Sequence, residues 1–419
     1  MPMPRRQGHT LLIALVAGTA ALAAAVAFGT SLVTSTRRAP LAEAQAHPAA
    51  RQPAAPAHSS GTWVVTWTGA PASPEPPNSA DGYPGHTIRN TVHTSIGGDA
   101  ARITLSNLFG TTPLVVDQAT VATRPVTFGG LGTVTVAAGR QVVSDPVAVP
   151  VAPDSDLLVT LRTPYGGRPV THHPNAHQTS HLADATRTWP TTAWRYLTAV
   201  DVRNDTAPGA IVVIGDSLTA GTASSTDTDS RWPDVLSDRL GHRYGVANQG
   251  IAGNRVLRDS TNPTGAGGMS GIHRFDRDVL SVAGARTVIV ALGINDVQQA
   301  PQETDARRIV AGLRSLTDRA HAHGLRVVGA TLTPFRGYAT WTPARNDVRR
   351  AVNAQIRAGH VFDDYVDFDR AVRDPYAPDR IRPAYDSGDR LHFNDAGYRV
   401  LGRLVDPATV TGAPKTGAF

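Results

Sequence analysis

Residues 210–220 read Ala-Ile-Val-Val-Ile-Gly-Asp-Ser-Leu-Thr-Ala, an apolar run followed by a glycine turn and a serine. A short apolar run that ends at such a turn is typical of a buried parallel strand. If a helix begins after the turn, Ser217 lies at the carboxyl end of the strand, where open α/β sheets carry their sites. The stretch therefore predicts an α/β domain with an accessible serine at the edge of its sheet.

The same alternation of strand and helix patterns continues through residues 206–405. Apolar runs at 286–292 and 325–331 have the length of buried strands, and amphipathic helical patterns occupy 303–322 and 342–358. Parallel strands need helical crossovers, which cover both faces of the sheet. We therefore expect a parallel sheet between two layers of helices.

Residues 61–205 have a different character. Short runs rich in β-branched residues are separated by clusters of Gly, Pro, Asn and Asp, and no helical period of useful length is present. This pattern predicts an all-β sandwich or jelly-roll domain in front of the α/β domain. The β-rich runs are 63–67, 101–105, 133–136 and 157–161.

The first 46 residues are typical of a targeting segment. Arg5 and Arg6 precede an uncharged stretch at 11–33, and Ala44-Gln45-Ala46 supplies a small-x-small cleavage pattern. The stretch suits a signal peptide and is also long enough to span a bilayer, so cleaved signal and membrane anchor both stay open. Either would place the remainder outside the cytoplasm. Residues 47–60 have the composition of a linker, and residues 406–419 that of a loose tail.

The composition excludes several kinds of chemistry. The chain has no cysteine, which rules out disulfides, thiolate catalysis and cysteine-ligated zinc. The formal net charge of +6 is modest, and four arginines and one glutamate of the leader supply half of it. No run of basic residues is present, so a nucleic-acid partner is not expected. The composition does not specify an oligomeric state.

A cluster of four histidines is not interpreted as a metal site. Its histidines lie within ten residues of one another, but their spacing matches no zinc motif and their surroundings are polar. We therefore expect no metal and no cofactor. The four histidines are His172, His173, His177 and His181.

Three residues, each of which follows a strand-like segment, have groups that can stabilise an oxyanion. The backbone amide of Ser217 is one donor, and Gly253, in a loop past Val246-Ala247-Asn248, offers a second amide that a substrate can approach closely. Gly250 is an alternative to Gly253. The side-chain amide of Asn295, just after the run at 286–292, is a third donor.

An aspartate and a histidine near the end of the chain complete this set. Asp389 and His392 are three residues apart and can lie on one face of a turn. An imidazole there can take the proton of a serine hydroxyl, and the carboxylate can fix its tautomer. Asp386 is an alternative orienting residue, and Asp395 could instead be a plain helix cap.

These blocks resemble, in type and order, those of the SGNH (GDSL) hydrolases over residues 210–405. The resemblance implies a flavodoxin-like three-layer α/β/α fold and serine esterase activity without a metal. Phe393 stands where proline is frequent, a departure that leaves the chemistry unchanged. Residues 61–205 are similar in general appearance to the β-rich N-terminal region of some secreted actinobacterial members. The matching blocks are Gly215-Asp216-Ser217-Leu218, Gly253, Gly293-Ile294-Asn295-Asp296 and Asp389-x-x-His392.

By this resemblance Ser217 is the nucleophile, His392 the base and Asp389 the residue that orients it. The amide of Ser217 forms the oxyanion hole with Gly253 and Asn295. The expected function is that of an exported serine esterase that acts through an acyl-enzyme, with acetyl groups on carbohydrate as one substrate class. Three alternatives remain: a lipase or lysophospholipase, transfer of the acyl group to a sugar hydroxyl, and a carbohydrate-binding or scaffold protein with an inactive hydrolase domain.

Overall fold

The computed structural model describes residues 62–76, 82–262 and 266–412. The leader at 1–46, the linker at 47–60 and the end of the tail lie outside these residues. Among the described residues, no helix has the length and apolar character needed to cross a bilayer.

Five parallel strands form the central sheet of the C-terminal part. Their order is β18-β17-β19-β20-β21, the 2-1-3-4-5 order of flavodoxin-like folds. Gly215 at the end of β17 is paired with Gly250 of β18 and Ala291 of β19, so the carboxyl ends of three strands meet at one edge. The strands are β17 Ala210–Gly215, β18 Gly245–Gly250, β19 Ala285–Ala291, β20 Arg326–Ala330 and β21 Asp364–Val366.

Helices cover both faces of this sheet. They are α1 Ser217–Ala220, α2 Trp232–Arg239, α3 Gly271–Phe275, α4 Ile294–Gln298, α5 Ala306–Ala322, α6 Pro343–Arg357, α7 Phe368–Val372, α8 Asp395–Leu404 and α9 Pro407–Thr411. A π-helical turn occupies Asp276–Leu280 and a 3₁₀ turn Pro383–Tyr385.

Alternate residues of β17 belong to two different hydrophobic cores. Val212 and Ile214 lie in a core with residues of α5 and α6, whereas Ile211 and Val213 lie in a core with residues of α2, α7 and α8. Successive side chains of a strand point to opposite faces, so this division shows a sheet buried on both sides. The expected α/β architecture is confirmed.

The N-terminal part is rich in antiparallel strands, as predicted. One large sheet has the order β1-β16-β4-β10 with β9 also paired to β4, and another has the order β14-β13-β3-β11-β6-β7. The strands are β1 Trp63–Thr68, β2 Ser73–Pro74, β3 His86–Thr94, β4 Gly98–Ser106, β5 Leu114–Val116, β6 Gln118–Val121, β7 Arg124–Pro125, β8 Val134–Val136, β9 Gln141–Val143, β10 Val147–Val151, β11 Ser155–Thr163, β12 Thr171–His173, β13 Ser180–Ala183, β14 Thr188–Thr191, β15 Trp194–Arg195 and β16 Leu197–Arg203.

Hydrogen bonds join the β-rich part directly to the α/β part. The Val65 amide donates to the Ala283 carbonyl at 3.1 Å. The Val246 amide donates to Ser95 Oγ at 2.9 Å. The described residues from 62 to 412 accordingly belong to one compact unit. The proposed division into 61–205 and 206–405 stays a prediction.

The expectation of a loose tail at 406–419 is wrong for its described portion. Asp406 accepts a hydrogen bond of 3.0 Å from the Ala408 amide and thereby caps α9. Val410 is buried, and its carbonyl accepts a hydrogen bond of 2.7 Å from Thr287 Oγ1 on the central sheet. This short helix is ordered by contacts with the sheet, which local composition does not reveal.

Candidate active site

Ser217 is the first residue of the short helix that follows β17. Asp216 precedes it, and the Asp216 carboxylate accepts a hydrogen bond of 3.0 Å from the Leu218 amide. The first residue of a helix has no intrahelical acceptor for its own N–H. None of the described residues accepts a hydrogen bond from the Ser217 amide, so its N–H is a free donor.

The structure brings Ser217, His392 and Asp389 into one chain of hydrogen bonds. His392 Nε2 lies 2.9 Å from Ser217 Oγ, and His392 Nδ1 lies 2.5 Å from Asp389 Oδ2. We assign the tautomer from these partners: Nδ1–H donates to the carboxylate, which leaves Nε2 to accept the serine proton. The 175 residues that separate serine and histidine in sequence are thus bridged by the fold.

The environment of Asp389 favours its ionised form. Burial alone raises the pKa of its carboxyl, but the hydrogen bond from His392 and those from the backbone amides of His392 and Leu391 together hold the pKa below its ordinary value. Those two amides donate to Oδ1 at 2.8 and 2.9 Å. A tight turn therefore supplies a carboxylate that is already oriented toward the imidazole.

The alternative residues near the histidine have other partners. Asp386 accepts hydrogen bonds from the Gly388 amide and from the backbone and guanidinium of Arg390. Asn394, not Asp395, caps α8. The Asp395 carboxylate instead accepts hydrogen bonds from Ser225 and Ser230. Neither aspartate contacts the imidazole, so Asp389 is the residue in position to orient His392.

Gly253 lies in the loop that follows β18. Its φ of +81° belongs to the left-handed region that favours glycine. None of the described residues accepts a hydrogen bond from its amide. The alternative, Gly250, is a strand residue whose amide already donates to Asn248 Oδ1 at 3.0 Å. Of the two glycines, Gly253 has the free donor.

Asn295 is held in one orientation by two glutamines. The Nε2 atoms of Gln298 and Gln299 both donate to Asn295 Oδ1 at 2.9 Å. Asn295 Nδ2 donates to the Asn254 carbonyl at 3.0 Å, and its second hydrogen has no acceptor among the described residues. Because the oxygen is fixed by two donors, the amide nitrogen is fixed as well. The sequence interpretation did not assign a role to either glutamine, although both follow the Gly-Ile-Asn-Asp block directly.

A buried arginine ties together the strand ends that carry the site. The guanidinium of Arg274 is fully buried and donates to the carbonyls of Gly215 and Gln249 at 2.9 and 2.8 Å. It also donates to Asn254 Oδ1 at 3.1 Å and is paired with Asp278 at 2.9 Å. Arg274 thus links the segments before Ser217 and Gly253. No sequence signal singled it out, because it lies in α3, outside every motif.

Two aspartates of the matching sequence blocks are buried. Asp296 accepts hydrogen bonds from the amides of Val256 and Leu257 at 2.7 and 3.0 Å, which fixes the chain just after Gly253. Burial, with a smaller contribution from Asp296, raises the pKa of Asp216 to about 7. Both residues were within the quoted motifs, but only the structure shows what they hold.

The four histidines between 172 and 181 do not converge on a ligand position. His172 and His173 are buried, and their Nδ1 atoms lie 2.9 and 2.8 Å from the carbonyls of Ser73 and Ala70. Burial lowers the pKa of His173 to about 4, so it is a neutral packing residue near pH 7. Clusters of three potential metal ligands do occur among the described residues, but none includes these histidines.

Part of the sequence matches a known protein family. The sequence profile of the GDSL-like Lipase/Acylhydrolase family matches residues 213–400, which include Ser217, Gly253, Asn295, Asp389 and His392. No curated protein matches the chain. Residues 213–400 therefore form a domain of the GDSL-like lipase/acylhydrolase family, which confirms the resemblance and is consistent with a carboxylic ester hydrolase.

Several solved structures are similar to less than half of the chain. A putative lipolytic protein of the G-D-S-L family from Desulfitobacterium hafniense is 20% identical, with a TM-score of 0.37, and the match covers 47% of this chain and 97% of that one. A carbohydrate acetylesterase family member from Sinorhizobium meliloti is 18% identical, with a TM-score of 0.40 and coverage of 48% and 96%. The M. smegmatis aryl esterase is 20% identical, with a TM-score of 0.37 and coverage of 46% and 95%.

Proposed function

We propose that the protein is an exported serine esterase that hydrolyses short-chain esters, with acetyl groups on carbohydrate as the favoured class. The observation that carries the reaction type is the hydrogen-bonded chain from Ser217 Oγ through His392 to Asp389, at 2.9 and 2.5 Å. A serine linked in this way to an oriented imidazole has the arrangement of an activated nucleophile.

The reaction begins when His392 Nε2 takes the hydroxyl proton as Ser217 Oγ attacks the ester carbonyl. The negative charge that develops on the carbonyl oxygen is stabilised by the amides of Ser217 and Gly253 and by Asn295 Nδ2. The imidazolium then gives its proton to the departing alcohol, and an acyl-serine remains. A water molecule, deprotonated by His392, releases the acid and restores the serine. Asp389 stabilises the imidazolium throughout.

A small pocket lies next to the residue that follows the nucleophile. Its volume is about 20 Å³, and its lining includes Leu218, Ile294 and Leu332. A volume of about 10–15 Å³ on this measure accommodates one water-sized group. A group the size of a methyl fits this pocket, and we propose that it receives the methyl of an acetyl ester.

The experiment that tests this proposal is hydrolysis of p-nitrophenyl esters from acetate to palmitate, in chelator, by residues 47–419 and by the matched Ser217→Ala protein. Activity that depends on Ser217 and falls steeply beyond short chains is expected. A preference for long chains would make the protein a lipase. Activity that survives Ser217→Ala would overturn the esterase assignment and direct attention to binding by residues 61–205.

Export is a separate part of the proposal and rests on Arg5, Arg6, the apolar stretch at 11–33 and the Ala44-Gln45-Ala46 pattern. Expression of the full chain in a bacterial host should yield protein in the culture medium that begins at His47. Protein that stays in the membrane fraction with the leader intact would show an anchor instead. Protein retained in the cytoplasm would contradict export.

A further inference from the structure

A wide cleft lies directly beside the oxyanion hole. Its volume is about 990 Å³, and Gln298 and Gln299 form part of its wall. The Nε2 atoms of both side chains also donate to Asn295 Oδ1. Gln299 Nε2 in addition lies 3.1 Å from the Gly253 carbonyl. The cleft therefore adjoins the side chain that we propose as an oxyanion donor.

The cleft is lined by three arginines, of which two have no carboxylate partner. Arg258 is exposed, and none of the described residues forms an ion pair or hydrogen bond with its guanidinium. Arg345 donates to the Thr340 carbonyl but pairs with no described carboxylate. Many arginines of this chain do form ion pairs, so two unpaired guanidinium groups in one cleft leave a local positive charge.

The third arginine increases this charge from beneath the surface. Arg255 is 5% exposed; it donates from Nη2 to the Pro301 carbonyl at 2.7 Å, and its buried Nε has no hydrogen-bond acceptor. The nearest carboxylate is that of Asp296, at 3.9 Å, which already accepts two backbone hydrogen bonds. The guanidinium of Arg255 therefore adds positive charge beneath the cleft, which favours an anion there.

The acidic residue of the cleft lining already has hydrogen-bond partners. Asp259 accepts a hydrogen bond of 2.8 Å from the Ser270 amide, and its other oxygen lies 2.8 Å from His273 Nδ1. Guanidinium groups bind carboxylates and phosphates well because both anions match their planar fork of donors. The remaining lining contributes amides and hydroxyls, including those of Gln298, Ser260 and Thr340.

We propose that this cleft binds a carboxylate of the substrate's alcohol portion, that Arg258 and Arg345 are its ligands, and that the substrate is an acylated acidic sugar unit. This inference rests on the proposed esterase function. A uronate is favoured over a phospholipid because most residues that line the cleft have polar or charged side chains, and Leu257, Ala300 and Pro301 are the apolar ones.

The test compares two sugar esters that differ only in charge, a methyl O-acetyl-glucuronoside and the methyl O-acetyl-glucoside acetylated at the same position. Acetate release should give a kcat/KM about 10- to 100-fold higher for the uronate, the range of a charge-assisted hydrogen bond. The difference should arise mainly in KM and should shrink as salt is raised. Arg258→Gln together with Arg345→Gln should bring the ratio close to one.

A matched control is Arg403→Gln, because Arg403 is exposed near the end of α8 and does not line the cleft. This variant should keep the uronate preference unchanged. Equal kcat/KM for the two sugars would overturn the inference. Cleavage of p-nitrophenyl acetate without release of acetate from either sugar would overturn it as well. Both outcomes would leave serine esterase activity intact. Faster cleavage of a lysophospholipid than of the uronate would also overturn it. Loss of Ser217 dependence would instead refute the proposed function.

Discussion

Gln298 Nε2 donates to Asn295 Oδ1 at 2.9 Å, from the position one helical turn further along α4. The amide of Asn295 is thereby turned so that Nδ2 carries a hydrogen free to meet the substrate oxygen. The donor is positioned before substrate arrives, and pre-positioned donors account for much of the stabilisation of a developing oxyanion.

Replacement of Gln298 should show how strongly kcat depends on the orientation of the Asn295 amide. Asn295→Ala should lower kcat for p-nitrophenyl acetate by about 10²–10³-fold. Gln298→Glu should have an effect that approaches this, because a carboxylate repels Oδ1 and favours a flipped Asn295 amide. Gln298→Met, which only removes the donor, should cost less, since Gln299 still holds Oδ1 at 2.9 Å. Equal activity of the Glu and Met variants would show that amide orientation is not set here.

The serine and histidine should behave as one unit in catalysis. Ser217→Ala and His392→Ala should each reduce kcat far more than Asn295→Ala does, and the double variant should lose little beyond either single change. The two atoms are 2.9 Å apart, so removal of either one eliminates the same proton transfer. Single-turnover measurements with p-nitrophenyl acetate would check this, and strictly additive losses would mean that the residues act independently.

Asp389→Asn should lower kcat by up to about 10⁴-fold, because an amide stabilises the wrong imidazole tautomer and cannot offset the imidazolium charge. The matched control is Asp386→Asn, whose carboxylate binds Arg390 and does not contact His392. Its kcat should remain close to that of the native enzyme. A larger loss from Asp386→Asn than from Asp389→Asn would exchange their roles.

The titration of Asp216 should lower the free energy of unfolding as the pH rises from about 4 to about 7. Burial raises its folded-state pKa to about 7, above the ordinary value of 3.8, so the folded protein keeps a proton that the unfolded chain releases. Where the folded state binds more protons, the free energy of unfolding decreases as pH rises. Asp216→Asn cannot titrate and retains an oxygen for the Leu218 amide. The Tm of Asp216→Asn minus the Tm of the native protein should therefore be larger at pH 8 than at pH 5. An equal difference at the two pH values would contradict this assignment.

Strands and helices could be predicted from the sequence where their burial leaves a recognisable pattern of apolar residues. Apolar runs predicted β17, β19 and β20 to within one or two residues, because strands buried on both faces must be apolar. The strand β18 contains Asn248, Gln249 and two glycines, so it has no such run, and the sequence predicts only the loop that follows it. Local composition does not predict the helix α9, because its burial depends on the sheet beneath it.

The sequence by itself determined the chemical groups available for reaction, namely the serine, glycine, asparagine and Asp-x-x-His blocks, and the α/β pattern that presents them at strand ends. Only the tertiary structure decided their geometry: which aspartate contacts His392, which glycine has a free amide, and how Gln298, Gln299 and Arg274 hold the donors in place. The physical reason is that motifs record residue type and local spacing. Hydrogen bonds between residues far apart in the chain depend instead on the packing of the whole sheet and its helices.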